Sequence, residues 1–94
     1  MVKVSFKGPL KKSIGFEEVE IEGGTLDEVL KQLSEKLNVE FVKTGNSIKL
    51  SLDVDGSKVK FTVSLFHDGK NVLREGIEKI ESGKLEIITP LGGG

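Results

Sequence analysis

The chain contains no cysteine, no tryptophan, no tyrosine, one histidine and only two prolines. Each absence removes a class of function. Without cysteine there is no disulfide, no thiolate metal site and no catalytic thiol on this chain. Without Trp or Tyr, only Phe6, Phe16, Phe41, Phe61 and Phe66 could stack on bases, a thin platform for a single strand of nucleic acid. Neither sign of charge dominates, since 14 Lys+Arg stand against 15 Asp+Glu for a net charge of −1. A nucleic-acid binder needs a basic excess or stripe, so no nucleic-acid partner is expected. No apolar run approaches the length of a membrane span. Residues 1–7 alternate polar and apolar side chains, unlike a signal peptide. No membrane partner and a cytoplasmic location are the corresponding expectations.

The chemistry-bearing residues that remain form no constellation. His67 alone cannot hold zinc without other strong ligands, and it reads as part of a solvated turn. Asp53 and Asp55 beside Gly56 lack the further ligands and terminal Glu of a calcium loop, so a hairpin turn is the better reading. Glu17, Glu18, Glu20 and Glu22 fit a solvated strand face better than an acid–base pair. Gly23-Gly24 has neither the spacing of a phosphate loop nor the Lys-Ser/Thr that should follow. No nucleophile stands with a base. The chain is not expected to be an enzyme by itself, nor to hold a permanent cofactor.

What is present is a clear alternation of elements. Ninety-four residues make one small domain with a modest core. Val2, Val4 and Phe6 alternate with Lys3, Ser5 and Lys7, a half-buried strand that Gly8-Pro9 breaks. Residues 16–22 give a second strand, with a loop around 11–15 between the two. Thr25-Leu26-Asp27-Glu28 is a capping box, and Leu26, Val29, Leu30, Leu33 and Leu37 then share one helical face. The helix is predicted over 26–37, with Asn38 as its stop.

Residues 39–42 allow a short strand, followed by a turn at Thr44-Gly45-Asn46. Residues 48–54 and 59–66 form a hairpin about Asp55-Gly56. From Asn71 an irregular or helical piece places Leu73, Ile77 and Ile80 at i, i+4 and i+7, and Leu85, Ile87 and Ile88 make a last strand closed by Pro90. One main helix must cover one face of a mixed sheet, giving an α+β fold. Parallel pairing of the first and last strands at the sheet centre would close it as a β-grasp.

The chain then runs Pro90-Leu91-Gly92-Gly93-Gly94. Glycines with no partner strand pack no core and are the costliest residues to order. Residues 1–90 are thus expected to be the domain and residues 91–94 a flexible tail. From the tail alone two readings stand: an idle or leftover linker, or a carboxylate on Gly94 slim enough to enter a narrow active site on another protein. Four extended residues reach on the order of 14 Å.

Taken with residues 2–21 and the capped helix from Thr25, the segment Asp68-Gly69-Lys70-Asn71-Val72 and then Ser82-Gly83-Lys84-Leu85-Glu86-Ile87-Ile88-Thr89-Pro90-Leu91-Gly92-Gly93-Gly94 resembles the small subunit of molybdopterin synthase and related ubiquitin-like sulfur carriers. Three features depart from that family: Thr89-Pro90 in place of two prolines, three terminal glycines in place of two, and a longer stretch over residues 40–58. The resemblance implies the β-grasp (ubiquitin-like) fold and a carrier role. A ubiquitin-activating-type enzyme would use ATP to adenylate the Gly94 carboxylate, and sulfur transfer would give a thiocarboxylate. The tail, from Pro90 and Leu91 through Gly92 and Gly93, would enter a larger catalytic subunit of molybdopterin synthase. The alternative branch is a modifier joined to lysines through Gly94. Docking needs a surface, and Phe66 and Ile88, out of phase with their apolar neighbours, are candidates on the free sheet face. Closing a minor core is the competing role for both.

Overall fold

The computed structural model describes residues 1–8, 15, 18–45 and 47–89, with the side chain of Val54 left aside. Strand β1 (Val2–Lys7) pairs antiparallel with β2 (Glu18–Ile21), Val2 lying opposite Ile21 and Val4 opposite Val19. After the two-residue β3 (Gly24–Thr25) comes helix α1 (Leu26–Leu37). Strands β4 (Glu40–Thr44), β5 (Ser47–Val54) and β6 (Ser57–His67) follow as a meander. The short β7 (Lys70–Asn71) and β8 (Lys79–Ile80) precede β9 (Gly83–Ile88). The main sheet runs β2-β1-β9-β6-β5-β4, with β7 beside β6, while β3 and β8 form a separate pair.

The helix forms where the capping box predicts. The Thr25 hydroxyl accepts from the Glu28 N–H at 3.2 Å, and Glu28 Oε1 accepts from the Thr25 N–H at 2.9 Å. These two bonds use donors that a helix N-terminus otherwise leaves open. Asn38 ends the helix in the left-handed region, φ 55, a conformation Asn tolerates better than most residues. Leu26, Val29, Leu30 and Leu33 are buried beneath it. Gln32 ties the helix to the sheet, donating to the Glu22 carbonyl at 2.8 Å and accepting from the Glu22 N–H at 2.9 Å.

Under the helix the strands alternate. Val2, Val4 and Phe6 of β1, Leu85 and Ile87 of β9, Val63 and Leu65 of β6, and Ile48, Leu50 and Leu52 of β5 join the helix leucines in one core. The first and last strands pair in parallel over six residues, from Val2 opposite Gly83 to Lys7 opposite Ile88, in the middle of the sheet. The fold is therefore α+β, with a mixed sheet and, among the described residues, one helix. None of the described helical residues forms a segment long and apolar enough to cross a membrane.

Several expected boundaries shift. The 48–54 and 59–66 hairpin is present as β5 and β6, closed by Asp55 (φ 52) and Gly56 (φ 84), the paired positive φ of a type I′ turn. Residues 40–54 add two strands outside β6. The segment after Asn71 is not a helix. It makes one turn, in which the Glu75 N–H donates to the Asn71 carbonyl at 2.9 Å. Gly76 then takes a positive φ of 65, which a right-handed helix cannot continue through. Val72 is fully buried there while Leu73 and Ile77 are half-buried. β3 pairs with β8, and just before it Gly23 lies so close to the Glu81 backbone that a Cβ there would collide.

Candidate functional site

The expected reactive group and its tail, Gly94, Gly93, Gly92, Leu91 and Pro90, lie outside the described residues, as do Phe16 and most of the 11–15 loop. What is described is the strand that leads to them. β9 is flanked by β1 on one side and β6 on the other. Its end, Ile88, sits between Lys7 and Ser64. Thr89 follows, buried, and Gly8 (φ 79) lies beside it, a Cβ there falling 3.5 Å from both the Thr89 carbonyl and Oγ1. β9 thus ends in the middle of the sheet.

At the other end, β9 is held by the β6–β7 turn. Asp68 Oδ1 accepts from the Lys84 N–H at 3.0 Å, and the Asp68 N–H donates to the Lys84 carbonyl at 3.0 Å. His67 Nε2 lies 2.7 Å from the Ser82 carbonyl and 3.5 Å from Asp68 Oδ2. His67 is half-buried rather than solvated, and its partner is a backbone oxygen. No group of three or more His, Cys, Asp or Glu residues able to hold a metal ion occurs among the described residues.

The face of the sheet opposite the helix carries the second set of expected residues. Phe66 lies opposite Glu86, and Ile88 lies two pairs further along, opposite Ser64. On adjacent antiparallel strands this makes Phe66 and Ile88 diagonal neighbours, a separation long side chains can bridge. Both are half-buried, and neither belongs to the core beneath the helix or packs against it. The alternation of β6 accounts for this, since Val63 and Leu65 point inward and Phe66 therefore points out.

Charge surrounds the pair. Lys7 Nζ lies 2.6 Å from Glu86 Oε2, which places an ion pair next to Phe66 and Ile88. The hydrogen bond from Lys7 holds the Glu86 carboxyl below its ordinary range, against the opposing effect of its burial. The Lys3–Glu18 pair, at 3.9 Å and half exposed, is a looser surface contact. The Lys7–Glu86 pair becomes legible in the sequence only once parallel register is assigned, because the two residues are remote in the chain. The outer face here thus has a small apolar pair, Phe66 and Ile88, bordered by the Lys7–Glu86 ion pair.

No protein-family model, curated protein or solved structure matches this chain.

Proposed function

We propose that this chain is a β-grasp sulfur carrier whose reactive group is the Gly94 carboxylate, acting as the small subunit of a molybdopterin-synthase type of enzyme. A carboxylate is a poor electrophile until it carries a good leaving group. A ubiquitin-activating-type enzyme supplies one. A Gly94 carboxylate oxygen attacks the α-phosphorus of ATP, pyrophosphate leaves, and an acyl-adenylate forms. A hydrosulfide equivalent held by a partner then attacks the acyl carbon and AMP leaves, giving the thiocarboxylate. The chain itself has no thiol, and in this proposal the sulfur is carried on the Gly94 carboxyl carbon.

The observation that supports this reading is the central parallel pairing of β1 with β9. β9 ends at Ile88, the diagonal neighbour of the outward-facing Phe66, and Thr89 follows it. In this reading a partner that docks over this pair meets the chain where β9 ends. The test is to incubate the protein ending at Gly94 with a ubiquitin-activating-type enzyme of the same host and ATP, and to measure pyrophosphate release. Release that disappears when Gly94 is deleted supports the proposal. Equal release with and without Gly94 contradicts it. Conjugates joined through Gly94 to lysines would instead assign the chain to the modifier branch.

A further inference from the structure

The main sheet has two edges, β2 and β4, and they are built differently. Unpaired edges invite another strand, and proteins commonly defend them with charge. β2 carries exposed Glu18 and Glu20 on the face away from the core. A two-fold antiparallel pairing of β2 with its copy always sets carboxylate against carboxylate. Centred on Val19 it opposes Glu18 and Glu20, and centred on either glutamate it opposes that residue with itself. Like charges directly opposite are destabilising.

β4 carries one charge of each sign, Glu40 and Lys43, and has no such self-opposing pair built into every register. Its sequence is Glu40-Phe41-Val42-Lys43-Thr44, with neither proline nor glycine. Val42, at its centre, is 40% exposed and is, with Met1, an exposed large apolar residue among those described. Its neighbour across the ladder is Lys49, on the face away from the core. Phe41 and Lys43 lie on the core side, opposite Leu50 and Ile48. The alternating ladder leaves every second residue of β4 with its N–H and C=O toward the open edge.

We propose that this edge pairs antiparallel with β4 of a second copy of the chain, centred on Val42. In that register Val42 meets Val42, Glu40 meets Thr44, and Phe41 meets Lys43. No like charges are opposed, and each Lys43 lies opposite a Phe41, a pairing that allows a cation–π contact. Shifting the centre to Lys43 would oppose two ammonium groups. Shifting it to Phe41 would set each Glu40 carboxylate against Val42. Lys43 also guards the edge against apolar strands in general, and the chain's own Phe41 is the partner that suits it. β9 lies three strands from β4, about 14 Å away at the usual spacing. The end of β9 is therefore set back from the contact, and this inference does not depend on the proposed function.

An edge-to-edge contact of five-residue strands is small, so association is weak and concentration-dependent. Sedimentation equilibrium across roughly 10 μM to 1 mM, together with amide chemical shifts over the same range, tests it. The expected result is a monomer–dimer equilibrium, with concentration-dependent shifts confined to residues 40–44 and their ladder neighbours. Val42→Lys and Val42→Glu should each remain monomeric while keeping the wild-type circular dichroism spectrum. An equimolar mixture of the two should dimerise again. A wild-type monomer throughout the range overturns the proposal. So does a dimer that Val42→Lys leaves intact, or one whose shifts fall elsewhere.

Discussion

Asp68 grips Lys84 by both backbone groups, its carboxylate accepting the N–H and its own N–H donating to the carbonyl, each at 3.0 Å. The grip fixes the start of β9, the strand on which the sheet centre depends. Gly83 is required for it, with φ 88 and an ideal Cβ only 2.6 Å from Asp68 Oδ2. Asp68→Ala should lower stability by about 1 kcal/mol, the usual worth of such a bond. Gly83→Ala should cost more, because it adds backbone strain to the collision. The two changes should be non-additive in a double-mutant cycle measured by urea denaturation, since removing the carboxylate relieves the collision but not the strain.

The Lys7–Glu86 pair makes stability depend on pH with a definite sign. The folded pKa of Glu86 lies below its ordinary value of 4.5. Its contribution is therefore complete above the unfolded pKa and is lost as pH falls through the folded one. Glu28 shifts in the same direction through its bond to the Thr25 backbone. Lys7→Met removes the first effect and spares the second. The difference in Tm between wild type and Lys7→Met should be largest near neutral pH and shrink between roughly pH 5 and pH 3, as read by thermal denaturation at fixed ionic strength.

Thr25→Ala removes the hydroxyl that caps the helix. The expected loss is about 1 kcal/mol. Leu33→Ala, at a fully buried position under the same helix, should cost about 2–5 kcal/mol. Chemical denaturation of both variants checks that the helix is held more by packing than by its cap.

These elements also show what the sequence reveals unaided. The capped helix is legible because its signals are local: Thr25 and Glu28 are three residues apart, and Asn38 follows the last leucine. The β5–β6 hairpin is legible for the same reason, through Asp55-Gly56. The central β1–β9 pairing is reachable by topology, but its register and the Lys7–Glu86 contact come from long-range pairing that no local pattern announces. The spacing of Leu73, Ile77 and Ile80 mimics a helix, while Gly76 at positive φ dictates a turn. Of the candidate site, Phe66 lies on the outer face of β6, and Pro90–Gly94 lie outside the described residues.

If Phe66 and Ile88 form the docking centre, Phe66→Ala should reduce partner activation at low protein concentration by at least about tenfold, in line with an interface anchor. The maximal rate at saturating protein should change far less, since the tail is unaltered. Pyrophosphate release measured over a range of carrier concentrations separates the two. An equal fall at all concentrations would place Phe66 outside the docking surface.

Intact-mass spectrometry of the untagged protein from its own host tests the central claim most directly, and it also reads whether the mature chain ends at Gly94. The account predicts a species ending there and heavier than the carboxylate by about 16 Da, oxygen having been replaced by sulfur at an activated terminus. A single unmodified carboxylate, with no adenylate formed on Gly94 by the host's activating enzyme and ATP, would contradict it.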